Sequence, residues 1–417
     1  MAKLIMAQQN GRVIGGPDKV FGVSNLAKAR IAEIGRDKVI DSTLGALMDD
    51  NGELIVLASV TDVLKNLGPR DYAAYAPIAG IPAYLEAVKT AVFGEQLPDC
   101  HIRACYTAGG TGAIRDAVSG YTKRGDAVLT SDWHWSPYKT VMLEQERVLE
   151  TYTLFDENNQ FNQKDFEKHL TEILARQDET MVIINTPAHN PTGYTFTLSD
   201  WDKVLDTLRR AAKDPDKKIT LLVDIAYLDF SGDPVEYRKF FPKLVGLPHN
   251  ILPLVAFSAS KGFTMYGMRC GALLCMAPTE EIAQEFFDVA SVASRASWSN
   301  GNRAAMETIA RIFNDKKLLD QVTEERQRYL EVLTRRGKAF MEATGKAGLP
   351  ICPYDSGFFV TIPCEKADEV AVEMQKYDIF AIPIGKGIRI AICAIPESKC
   401  SGIPEKIVAA MKTVGVL

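Results

Sequence analysis

An amine, two serine hydroxyls and a guanidinium lie close together in the string FSASKGFTMYGMR, which runs from Phe257 to Arg269. The amine of Lys261 can form a Schiff base with an aldehyde, while Ser258 and Arg269 can hold a phosphate. A lysine in a glycine-flanked loop is also an ordinary solvated surface charge. The chemical interpretation therefore requires partner groups elsewhere in the chain.

A carboxylate ends an apolar segment of strand length at Asp224, in LLVDIAY. A carboxylate in such a place needs a specific partner, although an Asp at the end of a strand can also cap a helix or form a turn. A protonated pyridine nitrogen would be such a partner. Lysine, anion site and acid together are what pyridoxal phosphate (PLP) requires of a protein, so the sequence predicts a PLP site.

Small residues follow another apolar segment at Gly109, Gly110, Thr111 and Gly112, where a helical pattern begins. Free amides and the helix dipole at such a helix start bind phosphate. The spacing does not match the G-x-G-x-x-G fingerprint of dinucleotide sites. A plain tight turn is the alternative interpretation of this segment.

The segment INTPAHNPTG places Asn190 directly before Pro191, which favours an extended or turn backbone. The amide of Asn190 and the hydroxyl of Tyr227 could both donate to the phenolate oxygen of the cofactor ring. Such donors would keep the lysine linkage reactive at neutral pH. Tyr227 could equally be a core aromatic that only packs.

These motifs, taken in order, resemble those of the fold-type I, class I PLP aminotransferases, and within them the aspartate and aromatic amino acid branch. The resemblance extends roughly from Gly22 to Ile392. The matching motifs are Y-x-P-I-x-G at Tyr75 to Gly80, G-G-T-G-A at Gly109 to Ala113, H-N-P-T-G at His189 to Gly193, D-I-A-Y at Asp224 to Tyr227, S-x-S-K at Ser258 to Lys261, and Arg269.

The resemblance implies a role for each matching residue. Lys261 corresponds to the Schiff-base lysine, Asp224 to the partner of the pyridine nitrogen, and Tyr227 to a donor for the ring oxygen, and these three form the catalytic set. Trp135 corresponds to the aromatic residue that stacks on the ring, whereas Trp133 is expected only to pack. The cofactor-binding set that follows from the resemblance is Gly110, Thr111, Trp135, Asn190, Asp224, Tyr227, Ser258, Lys261, Arg269 and, from the other subunit of a homodimer, Tyr75.

Two arginines are candidates for binding substrate carboxylates. Arg389 is a lone charge in the apolar segment GIRIAIC and should have an anionic partner; the resemblance assigns it to the substrate α-carboxylate. Arg295 corresponds to the arginine that reaches from the partner subunit to a side-chain carboxylate. An arginine at a helix end can also simply interact with the helix dipole. The resemblance adds Gly45 and Asn190 to the substrate site.

Three departures from the family pattern concern this site. Gly109 stands where the family usually carries a Ser, which removes one hydroxyl from the phosphate site. Tyr138 replaces a His behind the pyridine-bound Asp, which changes the groups that tune this pair. Gly301 and Asn302 replace two prolines in the segment that follows Arg295.

The implied activity is that of a homodimeric transaminase. It would move the amino group of an L-amino acid, aspartate or an aromatic one, to a 2-oxo acid such as 2-oxoglutarate. A PLP-dependent lyase on the same scaffold would keep every cofactor residue, and it is the alternative function because a fold does not determine the reaction.

Composition agrees with a soluble metabolic enzyme. The chain has 417 residues, of which 47% are hydrophobic and 24% charged, so it can form more than one core. A net charge of −5 without a basic patch makes nucleic acid an unsuitable partner. The eight cysteines contain no C-x-x-C pair, which predicts neither a metal site nor disulfides but reduced thiols in the cytoplasm. The apolar stretch in the first residues, MAKLIMAQQNGR, is too short for the core of a secretory signal peptide. No apolar run in the chain is long enough for a membrane helix.

The elements that must position these residues follow an alternating pattern of strands and helices, which predicts an α/β fold with a mainly parallel sheet covered by helices. The resemblance implies a seven-stranded sheet. A long charged helix from Lys316 to about Ala343 precedes strands typical of a smaller α+β lobe. We expect residues 51–318 to form the large PLP-binding domain and residues 1–50 and 319–417 the small domain. The predicted strands end near Thr107, Thr130, Thr186, Val223, Phe257 and Met276.

Overall fold

The computed structural model describes residues 4–14, 19–94 and 96–417. Parts of two predictions, the N-terminal portion of the small domain and the short apolar start of the chain, fall on residues 1–3 and 15–18 and lie outside the described residues.

The described residues form strands and helices that alternate through the middle of the chain. The strands are β1 (Ile40–Asp41), β2 (His101–Ala108), β3 (Ala127–Ser131), β4 (Val148–Tyr152), β5 (Glu179–Asn185), β6 (Lys218–Asp224), β7 (Ile251–Ser258), β8 (Cys270–Ala277), β9 (Phe359–Pro363), β10 (Ile379–Phe380), β11 (Ile382–Pro383) and β12 (Gly387–Ala391). The helices are α1 (Lys19–Ile34), α2 (Ala58–Lys65), α3 (Pro69–Ala73), α4 (Pro82–Phe93), α5 (Gly109–Tyr121), α6 (Pro137–Glu144), α7 (Gln163–Leu174), α8 (Leu198–Ala211), α9 (Ala259–Gly262), α10 (Glu280–Ser297), α11 (Arg303–Asn314), α12 (Lys316–Ala347), α13 (Ala367–Met374), α14 (Glu397–Cys400) and α15 (Ile403–Val414).

Seven strands form one large sheet in the order β2-β8-β7-β6-β5-β3-β4. The strands β4, β3, β5, β6 and β7 run parallel to one another, and β8 runs antiparallel to both of its neighbours. Helices cover both faces, with Phe166 and Trp201 of α7 and α8 buried on one face and Ile114 and Phe286 of α5 and α10 on the other. The predicted α/β fold with a mainly parallel seven-stranded sheet is confirmed.

Helix α8 illustrates how local sequence fixes an element boundary. Thr197 Oγ1 accepts a hydrogen bond from the amide of Asp200, and the Asp200 carboxylate accepts one from the amide of Thr197. This reciprocal capping box satisfies amides that have no partner within the helix. The capping box therefore lies where the helix begins.

Two elements differ from the predicted pattern. Strand β4 was absent from the predicted strands because it lies at the edge of the sheet, where most of its side chains are only partly buried and no apolar run marks it. Helix α12 continues to Ala347, past the predicted end near Ala343, and stops where Gly348 takes a left-handed backbone with φ of 65°.

The two ends of the chain meet in the smaller sheets. Strand β1 pairs in parallel with β10, so that Ile40 is opposite Ile379, and β9, β12 and β11 form an antiparallel sheet. This pairing brings the N-terminal segment against the C-terminal one. The division into domains at residues 50 and 318 stays a prediction.

None of the helices formed by the described residues combines the length and apolarity that a membrane crossing requires. All eight cysteines are free thiols, and all except Cys100 are buried.

Candidate active site

A cavity of about 180 Å³ lies where β5, β6 and β7 end and α5 begins. Parallel strands bring their carboxyl ends to one edge of a sheet, and this is where α/β proteins bind ligands. Every residue of the predicted cofactor set except Tyr75 lines the cavity. The lining residues are Gly110, Thr111, Ile114, Trp135, Asn185, Asn190, Asp224, Ala226, Tyr227, Ser258, Ser260, Lys261 and Arg269.

Lys261 lies in the short helix α9, which follows β7 directly and begins at the cap residue Ser258. Its Nζ is 5.3 Å from the ring centre of Tyr227 and 5.7 Å from that of Tyr266. Burial lowers the pKa of Lys261 to about 8, although the nearby Asp224 carboxylate opposes the shift. A larger share of the amine is therefore neutral near physiological pH, and the neutral amine is the nucleophilic form.

Asp224 is the last residue of β6 and is 5% exposed. The hydroxyl of Tyr138 donates to its Oδ2 at 2.6 Å, and the amide of Ala226 donates to its Oδ1 at 3.2 Å. Burial raises the pKa of Asp224, while these two hydrogen bonds and the charge of Lys261 act in the opposite direction. The carboxylate is thus held by two donors at the wall of the cavity.

Two asparagines connect the ends of β5 and β6. Asn185 donates from Nδ2 to the backbone oxygen of Asp224 at 2.9 Å and accepts at Oδ1 from the amide of Asn190 at 2.7 Å. Asn190 in turn donates from Nδ2 to the hydroxyl of Tyr227 at 3.2 Å. Sequence reasoning missed Asn185, although a polar residue at the end of a buried apolar strand is the same signal that identified Asp224.

The glycine-rich start of α5 lies beside Ser258 and Arg269. A Cβ added to Gly110 would be 3.3 Å from the Cβ of Ser258, and one added to Gly109 would be 2.6 Å from Nη2 of Arg269. Gly109 also has a φ of +72°, which side-chain-bearing residues rarely adopt. The missing side chain at Gly109 therefore leaves room for the Arg269 guanidinium, which gives the departure from the family pattern a physical reason.

We expect Gly109→Ser to weaken PLP binding by about 10-fold, even though it restores the hydroxyl that the family usually has. A positive φ costs a side-chain-bearing residue roughly 1–2 kcal/mol, and the new Cβ would displace Arg269 from the predicted phosphate site. Titration of the apoprotein with PLP measures the dissociation constant. Gly125→Ser is the control, since Gly125 also has a positive φ, of +89°, but open space around its Cβ position. Unchanged or tighter binding by Gly109→Ser would contradict this account of Arg269.

Arg389 lies in the middle strand of the three-stranded sheet, opposite Thr361 of β9, and is 8% exposed. Its Nη2 donates to the backbone oxygen of Thr43 at 2.9 Å, and its guanidinium carbon is 4.4 Å from the ring centre of Phe359. Its Nε is buried without a hydrogen-bond partner, and burial lowers the pKa of the group. A buried guanidinium with an unpaired N–H donor is expected to bind an anion.

Phe359 connects this arginine to the cavity. The Phe359 ring centre is 5.8 Å from that of Tyr227, and a Cβ added to Gly45 would be 2.4 Å from the Phe359 ring. The structure thus brings Gly45 and Arg389 against one aromatic ring at the side of the cavity. Sequence reasoning missed Phe359, because nothing distinguishes its apolar segment from ordinary core.

Tyr75 and Arg295 do not line the cavity of their own chain. The side chain of Tyr75 is 88% exposed, and Arg295 lies exposed near the end of α10, where it donates to Ser299 Oγ at 2.7 Å. The segment that follows binds the loop of Tyr75, because Asn300 donates to the backbone oxygen of Ala76 at 2.7 Å and Arg303 donates to that of Tyr75 at 3.2 Å. The two predicted residues therefore lie on connected surface segments.

The fold and the cavity define an enzyme of the PLP-dependent, fold-type I class. Residues 37–407 match the family described as aminotransferase class I and II, and the chain belongs to this family. The predicted family and cofactor are confirmed, and the chain is a PLP-dependent amino acid transaminase. Family membership also favours transamination over the lyase alternative.

Three relatives illustrate the similarity. The aspartate aminotransferase of Salmonella typhi is 25% identical over 407 residues, which cover 94% of this chain and 98% of that protein. The aromatic-amino-acid aminotransferase of Paracoccus denitrificans is 28% identical over 276 residues, which cover 64% of this chain and 66% of that protein. The crystal structure of an aminotransferase from Anaerococcus prevotii superposes with a TM-score of 0.95 at 37% identity and covers 97% of this chain and 99% of that one.

The residues of the cavity fit PLP. A Cβ at Gly110 would lie 3.3 Å from the Cβ of Ser258, so the glycines at the start of α5 leave a space at the cavity wall that an anion can occupy. An amine of lowered pKa, a carboxylate and an anion site at a helix start line the same space. They match the aldehyde, the ring nitrogen and the phosphate of the cofactor.

Proposed function

We propose that this enzyme transfers the amino group of L-aspartate, an aromatic L-amino acid, or both, to a 2-oxo acid, with 2-oxoglutarate as the expected acceptor. The observation that carries the proposal is the buried guanidinium of Arg389, which has a free donor and lies next to the cavity that contains Lys261. The names of the aspartate and aromatic relatives support the choice of donors.

The cavity lining supports the cofactor contacts that we propose for this chain. Asp224 would pair with the ring nitrogen, Asn190 and Tyr227 would donate to the ring oxygen, and Trp135 would stack on the ring. The phosphate would be held by Gly110, Thr111, Ser258 and Arg269. When bound, PLP supplies an aldehyde for the amino group and a ring that delocalises electrons from the substrate Cα.

The other steps are carried out by side chains of the protein. Arg389 would bind both oxygens of the substrate α-carboxylate through its planar fork and so orient the Cα–H bond. The neutral amine of Lys261 would take the proton from the substrate Cα and carry it to the carbon that receives the amino group. Gly45 would border the substrate site, where the absence of a side chain leaves room for the Phe359 ring.

We also propose a homodimer in which Tyr75 and Arg295 complete the site of the neighbouring subunit. Their exposure, and the hydrogen bonds that join their two segments, support this arrangement. The small domain would comprise residues 1–50 and 319–417 and the large domain residues 51–318. A cytoplasmic location stays a prediction, based on the free thiols.

A panel of amino donors with 2-oxoglutarate tests the reaction and the substrate class together. We expect glutamate to form with aspartate or with aromatic donors, and mass spectrometry to detect the matching 2-oxo acid. Release of ammonia without formation of pyridoxamine phosphate would instead indicate a lyase. Transamination that is confined to other donors would contradict the proposed substrates.

Arg295→Ala should lower kcat/KM for dicarboxylic donors by about 10- to 150-fold and leave aromatic donors nearly unchanged. The reason is that a hydrogen bond to a charged group contributes about 1.5–3 kcal/mol, and only a dicarboxylate supplies the second carboxylate. Steady-state kinetics with aspartate and phenylalanine measure the two effects. Equal losses for both classes would mean that Arg295 is structural.

Hybrid dimers should recover activity from two inactive proteins. Lys261→Ala inactivates a subunit's own site, whereas a Tyr75 or Arg295 variant harms the neighbouring site, so a mixed dimer retains one intact site. Activity is measured after subunit exchange, with exchange verified by differently tagged chains. A mixture of Lys261→Ala and Asp224→Ala subunits is the control. Each change inactivates the site of the subunit that carries it, so the mixed dimer has no intact site and should not recover activity. Absence of recovery with Tyr75 or Arg295 variants after verified exchange would contradict shared sites.

A further inference from the structure

Tyr138 is a buried residue of α6 that does not line the cavity but contacts Asp224, which does. It has no exposed surface, and its hydroxyl donates to Oδ2 of Asp224 at 2.6 Å. Its ring is perpendicular to that of Trp135, with ring centres 5.5 Å apart, and nearly parallel to that of His134, with ring centres 6.5 Å apart. Packing therefore fixes the direction of the hydrogen bond.

The remaining donors around Asp224 are amides. The amide of Ala226 donates to Oδ1 at 3.2 Å, and Asn185 donates to the backbone oxygen at 2.9 Å. Lys261 is the cation that faces the carboxylate, and the nearby His134 uses its Nδ1 in a contact with the Ser131 backbone oxygen. None of the hydrogen bonds that the described residues make to the Asp224 side chain comes from an imidazole.

Burial and hydrogen bonding act on Asp224 in opposite directions. Burial favours the protonated, neutral carboxyl group, whereas each donated hydrogen bond favours the carboxylate. An O–H donor to a carboxylate at about 2.6 Å is among the stronger hydrogen bonds in proteins. Burial also raises the pKa of Tyr138 well above its ordinary value, so the phenol donates without releasing its proton.

We propose that Tyr138 is a positioning residue that acts through Asp224 to keep the proton shared by Asp224 and bound PLP on the pyridine nitrogen. The inference depends on the assignment of Asp224 to that nitrogen in the proposed function. Without the hydroxyl, Oδ2 of Asp224 loses its partner in the protein. The shared proton should then move toward the carboxyl group, and the ring becomes a weaker acceptor of electrons.

NMR of the holoenzyme, reconstituted with PLP that carries ¹⁵N in its ring, reports the proton position directly. In the wild-type protein we expect the shift of a pyridinium nitrogen. Tyr138→Phe should move the shift toward that of neutral pyridine, because loss of a charged hydrogen bond changes the sharing equilibrium by about 10- to 150-fold. Tyr84→Phe is the matched control: Tyr84 is equally buried and its hydroxyl donates to the Gly271 backbone oxygen at 2.7 Å, so the wild-type shift is expected.

Asp224→Asn separates this inference from the proposed function on which it depends. An unchanged shift in Asp224→Asn, or a neutral-pyridine shift in the wild-type protein, would remove Asp224 from the pyridine nitrogen and both proposals with it. If Asp224→Asn moves the shift and Tyr138→Phe does not, only the role of Tyr138 is overturned. Circular dichroism and thermal unfolding verify that each variant is folded.

Tyr138→His provides a second test if Tyr138→Phe does not fold. An imidazole N–H can donate to Asp224 in place of the phenol, so the pyridinium shift should be retained in this variant. A neutral-pyridine shift in folded Tyr138→His would show that the shape of Tyr138, and not its donated hydrogen bond, determines the state of the ring, and would overturn the proposal.

Discussion

Lys261→Ala should reduce transamination by several orders of magnitude, the largest effect expected of any single substitution in this chain. The change removes the amine that we propose bonds the cofactor aldehyde and, with it, the proposed base for the substrate α-proton. Positioned proton transfer alone contributes roughly 10²- to 10⁴-fold to a rate. The pKa of about 8 that burial gives Lys261 makes its neutral form available for both tasks.

Single-turnover kinetics with aspartate and with an aromatic donor measure this loss. Lys213→Ala is the control, because Lys213 is exposed beyond the end of α8 and should not affect the rate. Borohydride treatment of the wild-type protein should fix the cofactor covalently on Lys261, as found by peptide mapping. Label on another lysine, or a Lys261→Ala protein that keeps wild-type turnover, would refute the assignment.

The sequence predicts those residues of the site that directly follow the carboxyl ends of strands. Asp224, Asn190 and Lys261 follow apolar runs, and a parallel sheet brings the ends of such runs together, so types and spacing were enough to group them. Asn185 shows that the same signal can be overlooked when the residue has no obvious chemical role. Its two hydrogen bonds, to Asp224 and Asn190, become visible only once the strands are paired.

Other parts depend on contacts between distant segments, which spacing does not encode. Tyr138 and Asp224 are 86 residues apart and meet because α6 packs under the sheet. Phe359 and Tyr266 are aromatic residues in apolar surroundings, where packing and site roles give the same sequence pattern. Strand β4 lacks an apolar run because an edge strand is only half covered. The proposed site roles of Tyr75 and Arg295 require a second subunit, so neither the sequence nor one chain determines them.

The burial of the Arg389 guanidinium indicates which substrate group it binds. Its guanidinium lies on Phe359, uses one Nη2 hydrogen bond to Thr43 and keeps Nε unpaired. A buried charge with a free donor is unfavourable unless an anion completes it. Every amino acid substrate supplies an α-carboxylate, so this arginine should serve all donors equally, in contrast to Arg295.

Arg389→Ala should therefore lower kcat/KM by about 10²- to 10⁴-fold for dicarboxylic and aromatic donors alike, since two charged hydrogen bonds of about 1.5–3 kcal/mol each are lost. Arg389→Lys should recover only part of this, because an ammonium cannot match the planar fork. PLP affinity, measured by titration of the apoprotein, should stay near the wild-type value in both variants. A loss confined to dicarboxylic donors would instead assign Arg389 to the side-chain carboxylate, and the α-carboxylate would then need another cation.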